Sequence, residues 1–394
     1  MPLDFAALRV RDFSRILLIK MSAVGDVIHT VPVVAKLRRR YPQARIDWLL
    51  RPEIADLLAH HPAIGNVVPL ARDDESARWR LSETAAGVRL AGRLRATRYD
   101  LVIDLQGQMR TALLALASGA PVRIGFDRPR AAVWQASHRE LPETARRHAW
   151  KGAREGAWFA YTHHMAIPTL DAHAIDRYLR LGPLLGLDDA PLDFSFPIPA
   201  AAEARVEALL RERGLGGAPL FVIAPGTVWE TKHWRNDGFA AVARHFMRRG
   251  FAVALTGSAR EHTVCEEVAA AAPGAVNLAG ATTLSGLAAL LRRAAFCVTN
   301  DSGPMHLAVA LGRPVVSVFG PTDPLWIGPY RRPDAVLQAD LPCVPCYLRT
   351  LSRCPHDHAC MRAIPAAAVI ERVETLLARH DRPCAARAEQ ARPA

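Results

Sequence analysis

Residues 15–20, Arg-Ile-Leu-Leu-Ile-Lys, form a continuous apolar run too short for a helix, and the chain turns directly after it. A run this compact reads as a strand of a parallel sheet, covered on both faces. Small residues and Gly25 make the turn. Val27, Val31, Val34 and Leu37 then recur at helical spacing up to Arg38, Arg39 and Arg40. The unit is therefore strand, tight turn and helix start, with Asp26 on the turn at the carboxyl edge of a sheet. Open α/β sheets bind ligands at that edge. Aspartate also caps helices, so position alone leaves capping and chemistry both open.

The same alternation fills the chain. In the first half strands are predicted at 15–20, 44–50, 66–70, 100–105 and 121–126, with helical patterns such as 86–97 and 110–117 between them. A Pro- and Asp-rich stretch, 186–199, reads as a linker. The second half restarts with strands at 219–224, 251–256, 275–278, 295–300 and 314–319, and helices such as 201–213 and 284–293. Strands alternating with helices imply parallel sheets. The expected organisation is an amino-terminal Rossmann-like domain over 1–185, the linker, a second Rossmann-like domain over 200–363, a closing helix over 364–380 that can return to the first domain, and a disordered tail over 381–394.

Two further strand ends have the chemistry of the first. The strand at 296–300 leads into Asp301-Ser-Gly-Pro-Met-His306, another helix start. The strand at 220–224 leads into Pro225-Gly-Thr227 and then Glu230-Thr-Lys232-His-Trp234. Gly, Ser, Thr and Lys at strand ends beside helix starts suit a phosphate-bearing ligand. Backbone N–H groups and the positive helix end face the anion, and lysine adds a full charge.

Together these segments resemble the ADP-heptose:lipopolysaccharide heptosyltransferases, glycosyltransferase family 9. The resemblance rests on Lys20-Met-Ser-Ala-Val-Gly-Asp26-Val-Ile-His-Thr-Val-Pro32, Asp104-Leu-Gln-Gly107, Pro225-Gly-Thr with Lys232-His-Trp, Asp301-Ser-Gly-Pro-Met-His306 and Gly320-Pro-Thr-Asp-Pro324, in order over nearly the whole chain. It implies the α/β GT-B fold, two Rossmann-like domains facing a central cleft. It also implies transfer of heptose from ADP-heptose to the anionic Kdo–lipid A region of lipopolysaccharide, with Asp26 as the base. By the same resemblance Lys232 acts on the departing diphosphate, and Gly226, Thr227, Glu261, Thr282, Asp301, Ser302, Gly303 and His306 hold the donor. Acceptor contacts are expected from Ser22, Gly25 and Gln106. Basic groups at Arg78, Arg80, Arg128 and Arg130 suit the acceptor's anionic oxygens, because the guanidinium fork can bind two at once. The Asp104–Gly107 and Arg128/Arg130 pair resembles the branch that adds the first heptose.

No two aspartates in the chain are separated by a single residue. A D-x-D metal–diphosphate motif is therefore absent, and the expectation is a reaction with no cofactor and no metal. Net charge is +12, and only four of the 50 Lys and Arg residues are lysine, two of them (Lys20 and Lys232) inside motifs. The basic balance fits a phosphorylated substrate or an anionic membrane surface. With no zinc-finger, RNA-recognition or aromatic–basic pattern, no nucleic-acid partner is expected. No apolar run reaches the roughly 18 residues of a membrane span, and residues 1–15 lack a signal-peptide core. A cytoplasmic protein, peripheral at the inner membrane, is expected.

Of seven cysteines, Cys343, Cys346, Cys354 and Cys360 cluster around His356 and His358. The first pair has zinc-ligand spacing and the second does not, which leaves structural metal and reduced thiols both open. Two other readings share the two-domain fold: a sugar-nucleotide epimerase, which would turn over donor without acceptor, and a non-catalytic nucleotide-sugar sensor. A relative using another nucleotide sugar or core acceptor is a third.

Overall fold

Each half of the chain builds one parallel six-stranded sheet. The computed structural model describes residues 5–70, 81–129, 141–148, 152–169 and 171–380. In the first sheet β1 (Arg15–Ile19), β2 (Arg45–Leu50), β3 (Asn66–Pro69), β4 (Leu101–Asp104), β5 (Val122–Phe126) and β6 (His163–Met165) lie in the order β3-β2-β1-β4-β5-β6. In the second, β7 (Leu220–Ala224), β8 (Ala252–Leu255), β9 (Val276–Asn277), β10 (Ala294–Asn300), β11 (Val315–Phe319) and β12 (Val336–Gln338) lie in the order β12-β11-β10-β7-β8-β9. Numbered from its own first strand and read from the β9 edge, the second sheet repeats the 3-2-1-4-5-6 order of the first. That is the doubly wound Rossmann order. Its ligand crevice lies outside the strand carboxyl ends where the order reverses, between β1 and β4 in one sheet and between β7 and β10 in the other.

Burial explains why the central strands are apolar at successive positions. Ile16 to Ile19 and Phe221 to Ala224 are wholly buried, as strands covered on both faces must be. In the second unit Phe221 stacks on Phe246 at 4.3 Å and lies parallel to Phe296 at 5.9 Å. The helix Ala366–His380 puts Val369, Val373, Leu376 and Leu377 into this same core. The expected closing helix thus finds its apolar partner on the second sheet.

The described residues cluster into two compact units, one taking the first sheet with 152–199 and the other taking 141–148 with 200–380. The expected linker, 186–199, has no regular element. It clusters with the first unit, where Asp188 binds Arg39 at 2.7 Å and Lys36 at 3.1 Å. The expectation for 381–394 lies outside the described residues. Ten of the twelve strands among the described residues fall where the apolar runs predict. The two not foreseen, β6 and β12, are three-residue edge strands, His-His-Met and Val-Leu-Gln, too short and too mixed to stand out.

Candidate active site

In the first sheet, parallel register sets Ile19 beside Asp104, so the turns after β1 and β4 emerge side by side at the switch point. The turn after β1 enters the helix Val24–Arg40, in which Asp26 occupies the third position. Its Oδ2 accepts from the Ala23 N–H at 3.2 Å, so the carboxylate does cap the helix. It also faces outward: its side chain is 38% exposed, and Oδ1 accepts from the Tyr178 hydroxyl at 2.9 Å. The Lys20 ammonium lies 3.5 Å from Oδ1. Capping and availability for chemistry coexist in one side chain.

Asp104, at the end of β4, is of another kind. It is fully buried. Oδ1 accepts from the N–H groups of Gln106 and Gly107 at 2.9 and 3.0 Å, and Oδ2 from the Tyr161 hydroxyl at 2.8 Å. Burial pushes its carboxyl above the usual range, while those donors pull it back. Gly125, paired with Asp104 in register, is what lets Tyr161 in, since a Cβ there would sit 2.4 Å from the ring. Asp104 shapes the turn that carries Gln106, whose Oε1 accepts from the Met21 N–H at 3.1 Å. That bond joins the two turns. Ser22 is half-buried and Gly25 buried on the same turn as Asp26. Arg128 is exposed beyond β5, with its N–H on the Asp127 carboxylate at 2.8 Å. Arg78, Arg80 and Arg130 lie outside the described residues.

The second switch point gathers the expected donor residues. Register places Thr299 beside Ala224, so Pro225 and Asn300 are neighbours. The Asn300 side chain donates to the Pro225 carbonyl at 2.7 Å and accepts from the Trp234 N–H at 3.0 Å. Trp234 is buried, and its indole N–H reaches the Ile364 carbonyl at 3.1 Å. One amide and one anchored indole therefore fix both ends of the loop carrying Gly226, Thr227 and Lys232. The His233 ring closes it by bonding the Thr227 carbonyl at 2.8 Å.

Lys232 points its ammonium at Asp301 Oδ2, 2.6 Å away, and over the Trp229 ring at 4.5 Å. Thr322 donates to the same Asp301 oxygen at 2.6 Å. Asp301 is buried, so it meets Lys232 rather than solvent. Ser302 and Gly303 open the helix Gly303–Ala310, with His306 buried in its second turn. Glu261 both caps its own turn, accepting from the Ser258 N–H at 2.7 Å, and presses against Gly226. A Cβ on Gly226 would stand 2.3 Å from Glu261 Oε1. Thr282 is half-buried one residue before Thr283, the cap of the helix Leu284–Arg293.

Behind this loop lies the cysteine-rich segment. Thr231 donates to the Leu348 carbonyl at 2.6 Å, its own carbonyl meets the His358 ring at 2.8 Å, and Glu230 accepts from the Leu351 N–H at 2.9 Å. Cys343, Cys346, Cys354 and Cys360 are free thiols. Burial pushes Cys360 up to about 11 and raises Cys346. Among the described residues no group of three or more His, Cys, Asp or Glu side chains is placed to hold a metal ion. Asp323 caps its turn by accepting from the Leu325 N–H at 2.9 Å. Among the described residues no helix is long and apolar enough to cross a membrane.

Sequence reasoning missed Tyr178, Asn300 and Trp229. Asn300 ends a recognised strand and its polarity at a buried sheet edge is a readable signal. Tyr178 carries none, being 152 residues from Asp26 in the chain.

Known proteins resemble this chain over most of its length. The model of glycosyltransferase family 9 (heptosyltransferase) matches residues 88–150 and 141–355. Lipopolysaccharide heptosyltransferase 1 of Pseudomonas aeruginosa is 34% identical over 348 residues, 87% of this chain and 89% of that protein. Among solved structures, the glycosyl transferase family 9 protein from Veillonella parvula superposes with a TM-score of 0.74 at 22% identity, covering 93% of this chain and 98% of that one. The E. coli heptosyltransferase WaaC with ADP gives 0.66 at 25% identity, covering 92% and 99%. The fold is GT-B, and the chain is a glycosyltransferase belonging to glycosyltransferase family 9, the heptosyltransferases.

Proposed function

We propose that this enzyme moves a heptose from ADP-L-glycero-D-manno-heptose to the Kdo region of the lipopolysaccharide inner core, inverting the anomeric carbon and using no metal. The observation that carries the reading is the pair of switch points. One presents an exposed carboxylate, Asp26, and the other a cation, Lys232, on a loop of small residues. Asp26 takes the proton of the acceptor hydroxyl as its oxygen bonds to the heptose C1. The C1–O bond to the diphosphate breaks from the opposite face, and ADP leaves with the electron pair. Lys232, the Thr227 hydroxyl, the amides near Gly226 and the helix start at Ser302 and Gly303 offset the charge that develops on the diphosphate. Lysine does here what a metal does in enzymes with a D-x-D motif.

Glu261, beside Gly226, is assigned to the ribose, with Thr282 near the base, and Asp301 holds Lys232 until the diphosphate arrives. Gln106, Ser22, Gly25 and the arginines near Arg128 are assigned to the acceptor. The name of the Pseudomonas relative supports the first heptose as the one transferred. A net charge of +12 supports work at the cytoplasmic face of the inner membrane, held by anionic lipid.

The test is release of ADP from ADP-heptose in EDTA, with and without Kdo2-lipid A. Acceptor-dependent release is expected. Release without acceptor would favour an epimerase, and no release with any heptose donor would remove the substrate assignment. Asp26→Ala is expected to cut transfer by about a thousandfold while leaving ADP binding unchanged.

A further inference from the structure

We infer that Lys20 and Tyr178 are positioning residues for Asp26, fixing the orientation of its carboxylate and its readiness to accept a proton. The inference rests on Asp26 being the base, and goes beyond it by assigning what controls that base. The geometry comes from three separate parts of the first unit. The Ala23 N–H holds Oδ2 from the turn, Lys20 approaches Oδ1 from the end of β1, and the Tyr178 hydroxyl reaches Oδ1 from the helix Ala174–Tyr178. Donors from three directions leave a carboxylate little freedom to rotate, while its 38% exposure leaves it reachable.

Lys20 and Tyr178 also depend on each other. The ammonium lies over the phenol ring, 5.1 Å from its centre, so one side chain gives Asp26 its hydroxyl and gives Lys20 its ring face. The Lys20 side chain is only 7% exposed. Burial lowers its ammonium below the usual lysine range, Asp26 and Asp104 act to keep the charge, and Arg154 opposes it. Burial and the Asp26 carboxylate raise Tyr178 well above the usual phenol range, with Arg177 and Arg154 acting the other way. It therefore remains a hydrogen-bond donor at every working pH. A buried lysine in a chain with only four lysines has no packing reason to be charged. An apolar residue of its length would fill the space more favourably.

The sign follows. A cation and a hydroxyl donor favour the ionised carboxylate, so removing either raises the pH at which Asp26 takes up a proton. The test is kcat/KM for the acceptor against pH, for the wild type, Tyr178→Phe, Lys20→Met and Lys20→Arg, with Asp26→Asn as control and ADP affinity by calorimetry. The acid limb is expected to move up by about one pH unit in Lys20→Met and in the same direction by less in Tyr178→Phe. Lys20→Arg is expected to leave the limb in place, and ADP affinity to be unchanged throughout. An unmoved limb in both variants, with Asp26→Asn inactive, overturns the inference and leaves the base assignment standing. An active Asp26→Asn overturns the base assignment itself. If Lys20→Met does not fold, Tyr178→Phe, which keeps the ring and the packing, decides alone.

Discussion

Asp301 and Lys232 form a nearly closed ion pair: Nζ and Oδ2 are 2.6 Å apart, with side-chain exposures of 3% and 12%. Thr322 gives its hydroxyl to the same oxygen. The lysine is thus held in place on a fixed loop, and under the proposed function a diphosphate oxygen would meet a cation already oriented.

Asp301→Asn leaves that cation buried without its counter-charge, a defect that costs about 3 kcal/mol when one partner of a buried pair is removed. The variant is expected to melt well below the wild type. ADP supplies a replacement anion, so saturating ADP should raise the variant's melting temperature more than the wild type's. Differential scanning fluorimetry reads both effects.

Gly226→Ala places a methyl where Glu261 Oε1 stands, 2.3 Å away. The flexible end of Glu261 moves aside, so stability changes little, but the carboxylate leaves its position. The donor KM is expected to rise about tenfold, the scale of one charge-assisted hydrogen bond. In a double-mutant cycle the two losses should not add, because Glu261→Ala removes the group that the methyl displaces.

Asn300→Ala strands the Pro225 carbonyl and the Trp234 N–H inside the sheet edge. Two buried groups without partners cost about 3 kcal/mol together, read as a lower urea midpoint at unchanged m-value. Because the same amide ties both ends of the Lys232 loop, donor affinity is expected to fall as well.

Asp188 ties residues 186–199 to the first sheet through Arg39 and Lys36. The Arg39 hydrogen bond, with Lys36, holds its carboxyl well below the usual aspartate range. A depressed carboxyl contributes stability above its unfolded value near pH 4 and loses it as pH falls toward the folded one. Wild type and Asp188→Asn should therefore differ most above about pH 5 and converge below about pH 4, as urea midpoints across that range would show. The pair is half-exposed, so high salt should narrow the gap.

The sequence was most legible where burial is two-sided. Ile16 to Ile19 and Phe221 to Ala224 announce themselves because a strand covered on both faces has no polar alternation to confuse it. Motifs marked the turns after β1, β7 and β10, since glycine and small polar residues there follow directly from backbone demands. What stayed hidden is tertiary. Tyr178 carries no motif, and only the folded chain brings its hydroxyl, at the end of the helix Ala174–Tyr178, to Asp26. Position in the sequence leaves Asp26 open between cap and reactive group; in the folded chain Oδ2 caps the helix while Oδ1 faces Tyr178 and Lys20. The acceptor arginines at Arg78, Arg80 and Arg130 fall outside the described residues, so that side of the prediction rests on sequence alone.

The insertion of β10 beside β7 has a consequence for how the chain is made. A ribosome delivers β7, β8 and β9 first, and they can pair in that order. The inner flank of β7, five apolar residues buried at every position in the finished protein, then stays open until Ala294–Asn300 follows. An open apolar strand edge recruits other chains, so products ending before Ala294 are expected to aggregate. The same seven residues that carry Asn300 to the Lys232 loop and set Asp301 beside it also seal the nascent protein against its neighbours.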